Sequence, residues 1–453
     1  MKLKNIFCGL LAAFMMSGLS SCSDFLTLTP PSSIGENNFF ENTEEVESAV
    51  IGVYDGLQEL TNIAWSIEGI VDDNTFPGTE GFYAEMNAFT FDPFTGFFYD
   101  YWRICYSTIN RANMVLENIE VVEEGAKRDQ LKGEVLFIRA YVYHQMVQIY
   151  GSSPLILKTI GHADYAEMAN TPEADIYAQV IADLKEAATL LPDSYSSDEL
   201  GRATAWSAKG ILAKAYLSSG GDVSAKTLLK EIMDSGNFKL QENYKEVFEV
   251  EMNNEILFAV RYVASDNEHQ TFSYTFSSKG EFGGVMATTD ILNTYEDGDL
   301  RKDASVGEDG GKMVVDKYNS VGISNEQSGV DWVALRYADV ILLYAELLAN
   351  EGMNTEAVDI VNQIRTRAGL APKTFATQQE LIDGIALERR LELAFEGHRW
   401  FDLKRYGNAI ETIKAYLESE NITTPISDHH LLFPIPNREI NLADGNLRQN
   451  DGY

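Results

Sequence analysis

The stretch LRYADVILLYAELLANEG, residues 335–352, decides the fold class of this chain. Small and apolar residues recur in it at steps of three and four, at Leu335, Ala338, Leu342 and Ala345. This spacing places the four side chains on one face of an α-helix. A glycine-containing turn follows, and a second stripe runs through Ala357, Ile360, Val361 and Ile364. The stretch therefore opens a predicted helix-turn-helix unit.

The same rhythm recurs earlier in the chain. Ala205, Ala208, Leu212 and Ala215 are answered by Ala225, Leu228, Leu229 and Ile232, and two further pairs of stripes come before them. A helix-turn-helix repeat of about 34 residues is the size of a tetratricopeptide repeat (TPR). We predict a mainly α fold with about four TPR-like units, at residues 42–119, 130–191, 203–236 and 333–368.

Two long segments interrupt the predicted repeats. Residues 59–99 are rich in Gly, Phe, Asn and Asp, and residues 238–331 contain the strand-like pieces ILFAVRYV and KMVVDKY among Gly and Asp. Long loops in a compact chain are often functional, and the aromatic content of these segments argues against disorder. A helical scaffold that presents two irregular, partly β insertions is typical of a binding protein.

The N-terminus predicts export and attachment to a membrane. Two lysines precede an apolar run that is too short for a transmembrane helix, so residues 1–21 are interpreted as a signal peptide. The signal ends in LSSC, which resembles a bacterial lipobox with Cys22 as the lipidated residue. Plain secretion with an unmodified cysteine is the alternative. Residues 22–41 then form a tether, and Cys105 is expected to be a buried small residue.

Charge and motif content exclude several classes of function. The net charge of −34 over 453 residues argues against nucleic acid as a partner. No nucleotide-binding or catalytic motif occurs, and we expect no cofactor and no metal site. His429 and His430 are interpreted as a solvated loop. Asp297, Asp299 and Asp303 lack the glycine and glutamate of an EF-hand, so a solvated turn is favoured over calcium binding.

The aromatic stretch of residues 65–102 is the best candidate for a ligand site. Aromatic rings stack on the apolar faces of sugars, while Asp and Asn hydrogen-bond to hydroxyl groups. The ligand candidates are Trp65, Asp72, Asp73, Asn74, Phe76, Phe82 and Tyr83. The alternative is that the rings form a small core under the loop. The binding hypothesis predicts solvent-exposed Trp or Tyr rings in the insertions.

The stretch LERRLELAFEGHRWFDLKRYG, residues 387–407, combines charges, a histidine and aromatics, as an active site can. We interpret it instead as a joint between two helices, the first starting near Gln378 and continuing through Leu387, Leu391 and Phe395 to His398. Arg389, Glu392, Glu396 and Arg399 are spaced for ion pairs along this helix. Gly397 is expected to weaken or end it. Arg399 and Trp400 are expected to matter for folding.

This stretch closely resembles the C-terminal signature of the SusD/RagB family of outer-membrane lipoproteins. The resemblance also covers CSDFL, FYDYWRICYSTINRANMVLENI, KGEVLFIRAYVYHQMVQIYGSSPLI, GRATAWSAKGILAKAYL, LRYADVILLYAELLANEG and LFPIPNREINLADGNLRQNDGY, in that order. It implies one domain over residues 42–453, with the signature region at 378–453, four TPR-like units and no catalytic activity.

The resemblance also implies a role. A lipoprotein of this kind is displayed at the outer surface of the outer membrane. It caps a SusC-like TonB-dependent transporter and passes oligosaccharides, or in some branches peptides, to it for nutrient uptake. In the family, ligand contacts come from the insertions and the repeats face the transporter. This chain looks shorter than the starch-binding founders, so their ligand residues cannot be transferred. Peptide import, a TPR scaffold without a small ligand, and a secreted hydrolase are the competing hypotheses.

Overall fold

The computed structural model describes residues 39–77, 81–265, 268–280, 284–323, 325–352 and 354–453. The signal peptide, Cys22 and most of the tether lie outside the described residues. Seventeen α-helices are described, and the first nine are α1 (Thr43–Glu68), α2 (Phe82–Asn87), α3 (Gly96–Asn118), α4 (Ala126–Tyr150), α5 (Glu173–Leu190), α6 (Ala205–Ser218), α7 (Asp222–Asp234), α8 (Glu246–Glu249) and α9 (Phe272–Thr275). The others are α10 (Thr289–Thr294), α11 (Leu300–Ser305), α12 (Tyr337–Glu351), α13 (Thr355–Arg367), α14 (Gln378–Glu392), α15 (Arg399–Tyr406), α16 (Ala409–Ser419) and α17 (Asn437–Leu442).

The predicted repeat helices are confirmed, except that Leu335 lies in the strand Trp332–Arg336 and the helix of its stripe begins only at Tyr337. Helix α1 packs on α3, α4 on α5, α6 on α7, and α12 on α13. Successive pairs also stack, because α5 packs against α6 and α7 against α12. Side chains cap several of these helices: the Asn42 and Thr204 oxygens accept hydrogen bonds from backbone N–H groups in the first turn of α1 and α6. The mainly α, TPR-like fold class is therefore right.

The first insertion is shorter than predicted. Helix α1 continues to Glu68, and α3 already begins at Gly96, so residues 59–68 and 96–99 are helical. The buried Leu60, Ala64 and Ile67 continue the apolar stripe of α1 and hold these extra turns in the core. The irregular segment is thus residues 69–95, and it contains the short helix α2.

The insertions together form two small sheets. The strands are β1 (Thr75–Pro77), β2 (Ile256–Val260), β3 (Val285–Ala287), β4 (Val306–Asp309), β5 (Lys312–Val315) and β6 (Trp332–Arg336). One sheet has the order β1-β3-β5-β4 and is antiparallel, and β2 pairs with β6 in the other. The two strand-like pieces are confirmed as β2 and β5. Because β1 pairs with β3, the first insertion is joined to the second.

Most of the apolar core is continuous, apart from a small separate cluster of Ile256, Ala259 and Val333. One cluster of buried side chains extends from Val46 in α1 to Leu447 near the C-terminus, and Cys105 is fully buried in it as predicted. Among the described residues, no helix is both long and apolar enough to cross a membrane.

Candidate functional site

An aromatic cluster lies where α1 ends and α2 begins. The buried Trp65 ring has centroid distances of 5.3 Å to Tyr83 and 5.2 Å to Phe276. Tyr83 lies 5.3 Å from Phe82, and the Phe82 ring lies 4.9 Å from that of Phe97. Phe82 and Tyr83 are partly exposed, whereas Phe97 is buried. The rings of Phe82 and Tyr83 are therefore reachable from solvent and rest on the buried rings of Phe97 and Trp65. Phe82 and Tyr83 are called the aromatic surface below.

The polar candidates next to this cluster lie in the interior. Asp72, Asp73 and Asn74 are 1%, 5% and 0% exposed. Asp72 Oδ1 accepts hydrogen bonds from the backbone N–H groups of Asn74 and Thr75, at 2.9 and 3.0 Å. Burial raises the pKa of Asp72 to about 6, and the charge of Asp73 adds to the shift. These bonds shape the turn between α1 and β1.

Two arginines of the 387–407 stretch bind the side chains of this turn. Arg399 Nε and Nη2 donate to the two carboxylate oxygens of Asp73 at 2.6 and 2.8 Å. Arg390 pairs with Asp73 at 3.1 Å and donates to Asn74 Oδ1 at 2.8 Å. Burial of Asp73 disfavours its charged form, but the hydrogen bonds and charge of Arg399, with the charge of Arg390, outweigh burial and lower its pKa. The turn is thus locked to the C-terminal part of the chain.

The ion pairs predicted along one helix in this stretch are wrong. Helix α14 ends at Glu392, because Phe395 and Gly397 adopt positive φ angles of 68° and 79° and reverse the chain. His398 consequently caps α15 instead of continuing the α14 row. The interpretation as a joint between two helices is confirmed.

The charges of the joint are matched mostly by distant residues. Glu392 and Glu396 both accept from Arg336, at 2.6 and 2.7 Å. Arg389 pairs with Asp339 at 2.8 Å and, across the joint, with Asp402 at 3.1 Å. All of these side chains are buried, so the joint is a structural centre that ties β6 and α12 to the C-terminal helices.

Of the seven predicted ligand residues, three can be reached from solvent. Phe76, Phe82 and Tyr83 are partly exposed, and Phe76 faces Met286 across the β1–β3 pair. Trp65, Asp72, Asp73 and Asn74 are enclosed and hydrogen-bonded internally, although Asn74 Nδ2 has no hydrogen-bond partner among the described residues. The structure brings Trp65, Phe82 and Tyr83 into one cluster. The polar residues Asp72, Asp73 and Asn74 instead stabilise the turn between α1 and β1.

Two rings of the cluster were not predicted as site residues. Phe97 belongs to the same aromatic-rich stretch and could have been included on that ground. Phe276 comes from the second insertion, and no local pattern connects it with Trp65. Phe94 also belongs to residues 65–102. With 76% of its surface exposed, it is the most exposed aromatic residue described in that stretch. Its N–H donates to Asp92 Oδ1 at 2.8 Å, so a turn presents this ring.

Two interpretations of polar clusters need correction. The rings of His429 and His430 lie 3.8 Å apart, and His430 is buried, so this pair is not simply a solvated loop. Asp299 is buried as well and binds Arg301 at 2.7 Å, while Asp297 and Asp303 are exposed. Within the ranges that the structure describes, no group of three or more His, Cys, Asp or Glu side chains is placed to hold a metal ion.

The fold and the site define the class as a helical-repeat protein. Its TPR-like helix pairs are stacked, and its insertions carry a partly exposed aromatic surface. Comparison with known proteins gives the family. A model described as the SusD family matches residues 309–453, and one described as "starch-binding associating with outer membrane" matches residues 24–217. The chain belongs to the SusD/RagB family.

Individual relatives extend over almost the whole chain. SusD-like protein P2 of Formosa agariphila is 26% identical, over 96% of this chain and 97% of that protein. A laminarin-binding SusD-like protein of known structure has a TM-score of 0.79 and 23% identity, over 91% of this chain and all of the other. Surface glycan-binding protein A from Bacteroides thetaiotaomicron, solved with laminarihexaose, has a TM-score of 0.76 and 21% identity, over 90% and 99% of the two chains. At these identities the solved structures establish the shared fold.

Proposed function

We propose that this protein captures oligosaccharides at the outer surface of the outer membrane and delivers them to a SusC-like TonB-dependent transporter. The observation that carries the proposal is the aromatic surface, in which Phe82 and Tyr83 are partly exposed and rest on Trp65 and Phe97. Flat rings that remain in place without ligand bind the apolar face of a sugar at little entropic cost. The family description and the glycan-binding names of structural neighbours support the same ligand class.

In this proposal the seven predicted residues divide into two roles. Phe82 and Tyr83 contact the sugar, and Phe76 extends the contact along the edge of β1. Trp65 packs against Tyr83, and Arg390 and Arg399 hold the Asp72–Asn74 turn. The Asn87 side chain of α2 donates hydrogen bonds to the Ile70 and Thr75 carbonyl groups, which links α2 to this turn. An open surface of this kind gives moderate affinity, which suits a protein that must release its ligand to a transporter.

The proposal includes anchoring through acylated Cys22, with the tether of residues 22–41 leading to the folded body. A second lipid chain on the same residue makes such an anchor stable, since one chain alone binds only marginally. No catalytic step is part of the proposed role.

Tryptophan fluorescence tests the proposal. Trp65 is one of five tryptophans, and its ring is 5.3 Å from Tyr83, so a sugar on the aromatic surface should change its emission. The C22A chain, which carries no lipid, is titrated with oligosaccharides grouped by linkage, laminarihexaose among them, and with mixed peptides. A saturable change with one glycan group, lost in Trp65→Phe, supports the proposal. A response to peptides alone would favour peptide import, product release would favour a hydrolase, and inertness to both ligand sets would favour a scaffold.

A further inference from the structure

Charge around the aromatic surface is one-sided. No Lys or Arg occurs between Lys4 and Arg103, so the end of α1 and the whole first insertion lack basic residues. Residues 59–102, which supply α2 and most rings of the cluster, contain eight Asp or Glu side chains and no His. A cation near the rings therefore has to come from another part of the chain.

Exposed carboxylates lie on the helices that carry the rings. Glu85 is exposed and stands three positions after Phe82 in α2, so the two side chains are neighbours on the helix surface. Within the described part of the chain, the Glu85 carboxylate forms no ion pair or hydrogen bond. Asp100, whose side chain is 52% exposed, stands three positions after Phe97 in α3, and the Phe97 ring lies 4.9 Å from that of Phe82. Two solvent-exposed negative charges are thus close to the Phe82 ring.

The nearest basic residue along the chain is already paired. Arg103 lies 3.4 Å from Glu59 and 3.9 Å from Asp100, and all three side chains are exposed to solvent. One guanidinium group between two carboxylates neutralises one of them at most. A negative charge therefore remains beside the rings even before Glu85 is counted.

Cations from distant parts of the chain do not reverse this sign. Arg390 and Arg399 reach the neighbouring turn, where both pair with the buried Asp73. Lys279, the basic residue of the second insertion nearest to the cluster in sequence, interacts electrostatically with Asp309. Among the described residues, the aromatic surface is therefore bordered by more negative than positive charge.

We infer that the aromatic surface selects uncharged oligosaccharides and repels glycans that carry uronate or sulfate groups, with Glu85 as the main determinant. The inference rests on the proposed function, glycan capture on Phe82 and Tyr83. A neutral sugar stacked on these rings can donate hydroxyl hydrogen bonds to the nearby carboxylates. An anionic sugar in the same place meets like charges and no free cation, and such repulsion is a common source of specificity.

Calorimetric titration of the C22A chain with matched ligands tests this inference. The probes are the oligosaccharides of the fluorescence screen that contain primary hydroxyl groups, laminarihexaose among them, each paired with a derivative in which those hydroxyls are oxidised to carboxylates. Repulsion between two unit charges about 8 Å apart in water weakens binding about twofold. Since an oxidised oligosaccharide carries several charges, it should bind at least about fivefold more weakly than its neutral parent at about 10 mM salt. The difference should disappear at about 1 M salt, where charges are screened within about 3 Å.

The outcomes separate this inference from the proposed function. Equal or tighter binding of the oxidised form at low salt would overturn charge selection and leave glycan capture standing. A weaker affinity that persists at about 1 M salt would also overturn it, because the loss would then come from the missing hydroxyl groups and not from charge. Absence of binding by every glycan would refute glycan capture and the selectivity together.

A pair of variants tests the role of Glu85. Glu85→Gln keeps the size of the side chain and removes its charge, and it should narrow the ratio of the two affinities about twofold at low salt. The matched control is Glu124→Gln, which removes an exposed charge beyond the far end of α3, about 30 Å along the helix from Phe97. This control should leave the ratio unchanged. An unchanged ratio in Glu85→Gln, or an equal change in Glu124→Gln, would contradict the assignment of Glu85.

Discussion

Replacing Asp73 by Asn should destabilise the protein more than any other single change of charge in the turn. Asp73 has a side chain 7% exposed and balances two arginines, Arg399 at 2.6 Å and Arg390 at 3.1 Å. Removing one partner of a buried ion pair costs about 3–5 kcal/mol, because the charge left behind stays buried. Asp73→Asn leaves Arg399 without its carboxylate partner and Arg390 with only the exposed Asp290, and we expect a loss of about 3–5 kcal/mol in the free energy of unfolding.

Arg399→Ala should cost less, about 2–3 kcal/mol, since Asp73 retains Arg390 as its partner. The control is Asp290→Asn, which removes the same kind of group from the same Arg390, with a 2.6 Å contact but 62% of the Asp290 side chain exposed. An exposed pair contributes about 0–1 kcal/mol. Comparing the loss of unfolding free energy in the three variants therefore separates the effect of burial from the effect of removing a charge.

Urea denaturation at pH 7, followed by circular dichroism, measures these differences. A low pKa for Asp73 also predicts how the effect depends on pH: the stabilisation is fully present above the unfolded pKa near 4 and is lost as pH falls through the lower folded pKa. The reasoning is refuted if Asp73→Asn costs no more than Asp290→Asn. It is also refuted if Arg399→Ala keeps full stability but loses ligand binding.

Three further outcomes are expected. A Cβ at Gly133 in α4 would lie 2.9 Å from Leu191 Cγ, so Gly133→Ala should lower the free energy of unfolding by about 1 kcal/mol. Gly52→Ala has open space around it and should raise the free energy of unfolding by up to about 1 kcal/mol. The same urea assay measures both variants. Asp72 has a raised folded pKa of about 6, so the stability that it confers when protonated is lost as pH rises from 4 to 6, and Asp72→Asn should remove this slope from a pH series of melts. Cys22→Ala should move the protein from the membrane fraction to the soluble fraction; persistent attachment in cells without the transporter would contradict the lipid anchor.

Periodicity predicted the repeat helices because helical packing is a local property of sequence. The steps of three and four at Ala205 and Leu335 mark the faces that α6 and the β6–α12 segment bury. The same reasoning missed the last turns of α1, where a stretch rich in polar and aromatic residues hid buried positions such as Ala64. Composition indicates what a segment contains, but not which side of it faces the core.

The candidate site could be predicted only in outline. The aromatic stretch directed attention to Phe82 and Tyr83, but the partners of the turn lie more than 300 residues away: Arg399 is 326 positions from Asp73, and Arg390 is 316 from Asn74. No spacing rule connects such residues in a single sequence. The ion pairs assigned to i,i+3 and i,i+4 positions failed for a related reason, since buried charges find partners in space and not along one helix.

Calorimetric titration of the C22A chain with the oligosaccharide class found by fluorescence tests the central claim most directly. The account predicts that replacing both Phe82 and Tyr83 by Ala weakens binding about tenfold or more, since each stacked ring contributes about 0.5–1.5 kcal/mol. Trp206→Ala, which removes a partly exposed ring from the repeat helix α6, should leave the affinity unchanged. Full affinity in the Phe82 and Tyr83 double variant, with an unchanged unfolding transition, would contradict glycan capture on this surface.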